Sequence, residues 1–489
     1  MLIDGESLTI EDVYKVACLK ERVELDETVR NKVERSRKIV EEYTKEEKVA
    51  YGITTGLGEL CNVFIHKDQI DQLQKNLIRS HSTCVGDYLD EKFVRAAILL
   101  RANSLAKGYS GVRYELIERL ISLLNKDITP CVPEKGSVGA SGDLAPLAHI
   151  ALVLMGEGEV FHENKIMKAE DALKKVGIEK IDLKAKEGLA LINGTQIMTA
   201  VAALCIYEAK ILFDNALKAA AMSLEALRGT DRAFLKEIQK VRPHKGQMIV
   251  AEKMMNLLKG SENILSHRHC KKVQDAYTLR CIPQVLGPSL ETIEYAENIV
   301  NIELNSATDN PLIFDSPLTG GNFHGQPIAL AMDFLGIAIS EIGNLSERRI
   351  NRLMNPHLSE LPPFLAKNSG LNTGFMIAHY TAASLVSENK ILAHPASVDS
   401  IPVSADQEDH VSMGTIASRK CYEILQNVKN IIAIEFLAAC QGIDFLEYKP
   451  GPEIQKIHKK IREKIPFMEE DRPIYKDIKK MREIMEIPL

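Results

Sequence analysis

The chain has 489 residues, of which 45% are hydrophobic and 26% charged, and its formal net charge is −6 at pH 7. That length supports one large domain or two to three ordinary ones with ample core, and the mild acidity argues against nucleic acid or an anionic membrane as a partner. The nine cysteines are odd in number and form no Cys-x-x-Cys, so they read as reduced core residues of a cytoplasmic protein rather than a disulfide or zinc framework.

In chain order, Met1 to Ile10 shows no basic segment followed by an apolar core, so no signal peptide is expected. Glycine-rich turns follow at Gly52–Gly58 and Gly136–Gly142. After about Asn193 the texture changes to long helical patterns at 197–229, 326–354, 374–393 and 414–442, with apolar residues at three- and four-residue intervals. Met198 to Leu227 is the most apolar long stretch, but Glu208, Lys210, Asp214 and Lys218 interrupt it, so it reads as a buried helix and not a membrane span. Leu330, Met332, Phe334, Leu335, Ile337, Ile339 and Ile342 make the 326–354 pattern apolar over most of its circumference, as in a bundle core or between subunits. Arg348, Arg349 and Arg352, beside Glu347, read as a solvated or intersubunit face. The irregular stretch from Asp309-Asn310-Pro311 to Pro327 reads as a short hairpin or active loop, and the tail from Pro452 as amphipathic surface helices. The expected fold is mainly α: a smaller N-terminal part over 1–194 and a long-helix bundle over 195–489, forming one integrated catalytic unit.

Residues 135–149 read Lys-Gly-Ser-Val-Gly-Ala-Ser-Gly-Asp-Leu-Ala-Pro-Leu-Ala-His. One reading is a loop before a helix, with Asp143 as N-cap and Pro146 in the first turn. A phosphate-binding loop fails because the Gly-Lys-Ser/Thr ending is missing. A third reading is chemical. If a tight turn presses the Gly142 nitrogen onto the Ala140 carbonyl, a five-membered ring can close, and glycine is the least hindered residue for that approach. Loss of two waters, one taking the Ser141 hydroxyl, leaves an electrophilic exocyclic methylene. A helix N-terminus just beyond it favours negative charge building on the ring. Ala-Ser-Gly is a common tripeptide, so geometry alone does not choose this reading.

The segment from Gly136 to His149 resembles the signature of the histidine/phenylalanine/tyrosine ammonia-lyase family, and the likeness runs from Tyr51-Gly52 to Gln441-Gly442. The resemblance implies a carbon–nitrogen lyase with a fumarase/aspartase-like helical bundle. Its prosthetic group is 4-methylidene-imidazole-5-one (MIO), formed from Ala140, Ser141 and Gly142 with no external cofactor. The assembly implied is a homotetramer with shared active sites. Tyr51 would be the base for the substrate β-proton; Thr54 and Leu57 depart from the family's usual Asn-Thr-Gly-Phe. Asn193 would hydrogen-bond the prosthetic group or substrate. Arg280 would grip the α-carboxylate with its fork, Gln274 and catalytic Tyr277 would line the same pocket, and Ala276 stands where a proline is usual. Phe323, in Gly320-Gly321-Asn322-Phe323-His324-Gly325, would pack against the substrate side chain. Gln407-Glu408-Asp409-His410 and His267-Arg268-His269 could suggest a metal, but no His-Glu-x-x-His is present and histidines two apart on a helix face apart.

Ser80-His81 matches the histidine-acting members, where phenylalanine- and tyrosine-acting ones carry Phe-Leu and His-Leu. Glu408 matches them too, and the physics agrees: a substrate imidazole N–H wants an acceptor, while a phenyl ring would leave that carboxylate buried and unpaired. Such a site can reject an analogue lacking the hydrogen bond by about 10⁴-fold or more. The expected reaction is loss of ammonia from L-histidine to give trans-urocanate, the opening step of histidine degradation. The alternatives are an aromatic amino acid lyase or 2,3-aminomutase on the same scaffold, a fumarase/aspartase-type lyase, whose Gly-Ser-Ser-x-Met-Pro loop is not found, and a non-catalytic homologue.

Overall fold

In the computed structural model, which describes residues 1–270 and 272–486, the four long apolar periods form helices at Gln196–Ala226, Gln326–Met354, Met376–Leu392 and Gly414–Ile443. The helix Ile282–Leu304, of 23 residues, is also long but interrupted in pattern, because Pro288 sits inside it and proline cannot donate the backbone hydrogen bond that a helix interior expects. Two helices, Gln196–Ala226 and Gln326–Met354, are long and apolar enough to cross a membrane, but 78% and 61% of their most apolar windows are buried inside the protein.

The chain divides into two compact units. The first comprises Met1–Tyr207, Ala296–Asp333 and Pro395–Arg419; the second comprises Glu208–Tyr295, Phe334–His394 and Lys420–Leu489. The first unit contains all of 1–194 and adds later segments to it.

The first unit is built around the helix Glu91–Ala106, buried at every residue from Phe93 to Ala106, Arg95, Arg101, Asn103 and Ser104 included. Ile10–Cys18, Glu27–Lys45 and Tyr114–Asn125 pack on it. A second cluster positions the site: Ile70–His81, Leu144–Leu154 and Glu187–Ile192 pack pairwise. The strands are short. Val85–Tyr88 pairs antiparallel with Pro133–Lys135, and Glu159–His162 pairs with both Thr129–Pro130 and Lys165–Lys168 in register Val160↔Met167. The expected hairpin appears as Leu312–Ile313 against Pro317–Leu318.

The second unit buries a charged knot. Glu435 accepts from Arg349 Nη2 at 2.8 Å, from the Ser223 hydroxyl at 2.7 Å and from the Ser346 hydroxyl at 2.6 Å, all buried. This corrects the reading of the arginine cluster. Arg348 is exposed and pairs with Glu347, whereas Arg349 is fully buried. Consecutive helical residues point about 100° apart, so a run of like residues need not share a face. The tail forms two amphipathic helices, Pro452–Arg462 and Ile474–Met485, which bury Ile454, Ile457 and Ile461, and Met481, Ile484 and Met485.

Candidate active site

Six stretches of the first unit converge on a cleft of roughly 860 Å³. Tyr51 enters from a turn stitched by Thr54, whose buried hydroxyl donates to the Lys48 carbonyl at 2.6 Å and accepts from Ala50 N–H at 2.9 Å. Thr54, one departure from the family pattern, thus serves the turn; Leu57, the other, lines the cleft. The Tyr51 phenol oxygen accepts from the Gly58 N–H at 3.3 Å. Ser80 and His81 come from the C-terminal end of Ile70–His81, with Ser80 Oγ 3.1 Å from His81 Nδ1. Asn193 terminates Glu187–Ile192, Phe323 follows the hairpin, and Glu408 stands on an antiparallel bridge to Val403. Of the four residues that separate those two, Ser404, Ala405 and Asp406 are left-handed, a conformation that non-glycine residues adopt only under local constraint.

The Ala-Ser-Gly segment is a tight turn. Gly139 and Gly142 bridge across it, and Gly142 bridges onward to Gly194. Gly142 has φ +73°, and a Cβ there would lie 2.1 Å from the Gly194 carbonyl oxygen, so only glycine fits. Ala140 is buried, while Ser141 lines the cleft and its hydroxyl donates to Glu408 Oε1 at 3.2 Å. A constrained turn with glycine at its end and a serine hydroxyl facing a carboxylate suits the ring closure that MIO requires.

Asp143 was expected to cap Leu144–Leu154. It occupies that position but makes no side-chain cap there. Its carboxylate instead accepts from the Met198 N–H at 2.8 Å, in the first turn of Gln196–Ala226, and from the hydroxyls of Ser137 and Thr415. The reason is tertiary: another helix start is brought within reach, and its orphan N–H groups need an acceptor as much as the local ones do. Complete burial pushes the Asp143 carboxyl up to about 6, against the hydrogen bonds from Thr415, Met198, Ser137 and Ile197.

Burial also raises the Tyr51 phenol; the Gly58 N–H works against this, and the charge of Glu408 adds to it. Burial lowers His81, opposed by the Leu77 carbonyl as a hydrogen-bond acceptor for the ring, so the ring is neutral at pH 7 and can both donate and accept.

Gln274, Tyr277 and Arg280 lie in the second unit and are not among the cleft's lining residues. Gln274 is exposed. Tyr277 is 71% exposed, and the Arg280 guanidinium lies 4.5 Å from its ring centroid. Arg280 Nε is buried with no hydrogen-bond partner among the described residues. The described lining holds two carboxylates, Glu59 and Glu408, and neither lysine nor arginine. Asn310, which also lines the cleft and whose carbonyl accepts from Asn193 Nδ2 at 2.9 Å, escaped sequence reasoning; its place before Pro311 was the available signal. The only group within metal-ligating reach among the described residues is Cys440, Asp444 and His458, in the second unit. There Arg462 and His458 already engage Asp444, at 2.6 and 2.7 Å, and burial holds the Cys440 thiol up at about 12.

The class of protein is an ammonia-lyase with a mainly helical fold, as comparison with known proteins shows. The aromatic amino acid lyase family model matches residues 8–463, and the chain belongs to that family. It is 55% identical over 482 residues to the histidine ammonia-lyase of Caldanaerobacter subterraneus subsp. tengcongensis, covering 98% of this chain and 95% of the relative. Among solved structures it resembles histidine ammonia-lyase from Trypanosoma cruzi, with TM-score 0.92 and 45% identity over 99% of this chain and 93% of that one. It equally resembles tyrosine aminomutase from Streptomyces globisporus, with TM-score 0.93 and 40% identity over 99% and 96%. Backbone likeness therefore does not separate the activities, and the side chains in the cleft must.

Proposed function

We propose that this chain acts as a histidine ammonia-lyase, eliminating ammonia from L-histidine to leave trans-urocanate, with MIO formed from Ala140, Ser141 and Gly142. The observation that carries the reading is the convergence of Tyr51, His81, Ser141, Asn193, Phe323 and Glu408 on one cleft, together with the names of the most similar relatives. When formed, the group supplies an electrophilic methylene and an electron sink for the substrate amine.

The other roles belong to ordinary side chains. Glu408 accepts from the substrate imidazole N–H, and neutral His81 completes its orientation. Phe323 packs on the ring. Tyr51 takes the β-proton, and its position must be in line with that weakly acidic C–H. The carboxylate needs a cation that the lining lacks, and Arg280, with Gln274 and Tyr277, supplies it from another copy of the chain. Shared sites of this kind need at least two copies of the chain, and the family resemblance sets the assembly at a homotetramer. The exposed Phe334 and Ile337, 46% and 43% accessible, line an apolar groove of roughly 660 Å³ with Val285 and Tyr295, which is surface suited to cover by another copy.

Two measurements test this reading. The intact chain should be lighter than its sequence by two waters, and Ser141→Ala should abolish that deficit, the near-ultraviolet absorbance and nearly all activity while leaving Tm almost unchanged. Urocanate should form faster than cinnamate or coumarate from the corresponding amino acids; a faster phenylalanine or tyrosine reaction overturns the substrate assignment.

A further inference from the structure

Behind the Ser141 turn lie two buried cations and one buried carboxylate. Lys186 Nζ is 2.7 Å from Asp309 Oδ2, and neither side chain is exposed. Arg101, also buried, donates from Nη1 to the Asn193 carbonyl at 2.7 Å and from Nη2 to Ser104 Oγ at 3.1 Å, while its Nε has no partner among the described residues. Asp309 favours the charged form of both cations, but burial outweighs it, bringing Arg101 down to about 10. Arg101 is therefore still a cation at neutral pH. Glu303, another buried carboxyl, is engaged by the Thr195 hydroxyl. Positive charge held away from water with partial compensation is costly, so its placement needs a reason.

The charge is aimed at a single peptide. The Asn193 carbonyl accepts from Arg101, and the N–H at the other end of the same peptide, on Gly194, donates to the Ser141 carbonyl oxygen at 3.3 Å. Peptide C–N conjugation couples those two ends, so a cation on the oxygen makes the N–H a stronger donor. The contact is close: a Cβ on Gly194 would sit 2.8 Å from Arg101 Nη1.

We propose that Arg101 is a positioning residue for the lyase reaction, its cation acting through the Asn193–Gly194 peptide to strengthen the hydrogen bond on the Ser141 carbonyl oxygen. This rests on the electrophile reading of Ala140-Ser141-Gly142. In that closure the Gly142 nitrogen bonds to the Ala140 carbonyl carbon. The Ala140 oxygen leaves as water with the amide hydrogens of Ser141 and Gly142, and Ser141 Oγ leaves with its own hydrogen and the Ser141 Cα hydrogen. The Ser141 carbonyl oxygen stays on the ring, conjugated to the new methylene. Arg101 thus backs the atom on which negative charge accumulates as the methylene accepts an electron pair, a charge that preorganised donors stabilise without reorganising.

Arg101→Gln keeps a donor near Asn193 and removes the charge; Arg101→Lys keeps the charge. With folding checked by circular dichroism and Tm, Arg101→Gln should lower kcat by roughly 10- to 100-fold with KM nearly unchanged, and should displace the near-ultraviolet band. Arg101→Lys should retain more of both. Equal kcat in the two variants, a change confined to KM, or an unshifted band with full kcat overturns the proposal. If neither variant folds, the unmodified enzyme decides. With an isotope label at the serine carbonyls, the ring carbonyl stretch in its resonance Raman spectrum should lie below that of the protease-excised peptide in water, and an equal or higher stretch overturns the proposal. An unmodified chain of full sequence mass would instead defeat the electrophile reading itself.

Discussion

Glu408 occupies a position where one carboxylate acts on three groups: it accepts the Ser141 hydroxyl, it is the proposed acceptor for the substrate imidazole, and its charge helps to keep the proton on Tyr51. Glu408→Gln keeps the size and removes the charge. Loss of a charge-assisted hydrogen bond of about 1.5–3 kcal/mol should cut kcat/KM for histidine roughly 10- to 100-fold. A base must be deprotonated, and a negative neighbour raises the pH needed, so the acidic limb of the rate profile should move to lower pH in Glu408→Gln. A limb that stays put would remove Tyr51 as the group that titrates. Asp143 carries a second pH signature, on stability. Its carboxyl rises from 3.8 to about 6 on folding, so between those values the folded chain binds a proton that the unfolded chain has released. Stability from this group is therefore full below about pH 4 and declines as pH rises to about 6. Asp143→Asn should flatten the Tm-against-pH curve across that window. The motif residues were legible individually because their types announce their chemistry; the partners of Asp143 were not, since Met198 and Thr415 come from remote segments.

At the scale of elements, period and interruption explain what the sequence discloses. Gln196–Ala226, Gln326–Met354 and Gly414–Ile443 follow unbroken apolar periods, so their bounds fall within a few residues of the expected ones. Glu91–Ala106 is buried all round and shows little contrast between faces, which leaves its place at the centre of the first unit unannounced. Arg349 and Glu435 lie on two of the long helices and meet inside the second unit. Breaking a buried pair strands the remaining charge, so Arg349→Met should cost about 3–5 kcal/mol, read as a lower midpoint in denaturant. Glu435→Gln added to it should recover part of the loss, because it removes the stranded charge while the amide still pairs with the Ser223 and Ser346 hydroxyls, its oxygen accepting from one and its N–H donating to the other. Equal stability of Arg349→Met and the unmodified chain would show that the pair contributes nothing.

For the whole molecule, the decisive feature is an absence in the cleft's composition. Among its described lining residues there is no lysine or arginine, yet an amino acid substrate brings a carboxylate. Arg280 is the proposed partner, contributed by a second copy. Mixing an inactive Ser141→Ala chain with an inactive Arg280→Ala chain, unfolding and refolding them together, should restore part of the activity, because some sites then receive an intact residue from each. No recovery, or sedimentation of an active monomer, would contradict shared sites. Polar substitution at Phe334 and Ile337 offers a separate view of the same assembly, through the sedimentation coefficient.

The sequence by itself determined the helical class, the long-helix bounds and the chemistry available at Tyr51, His81, Ser141, Arg280 and Glu408, because periodicity is local and side-chain chemistry travels with residue type. Only the tertiary structure decided that Ser141 faces Glu408, that Asp143 serves the start of Gln196–Ala226 rather than its own helix, that Arg349 is buried while Arg348 is not, and that Arg101 backs the Asn193–Gly194 peptide. Each of those depends on contacts between segments tens to hundreds of residues apart. Such contacts are selected by packing and by the cost of leaving a buried polar group unpaired, and neither quantity is written in any one stretch of chain.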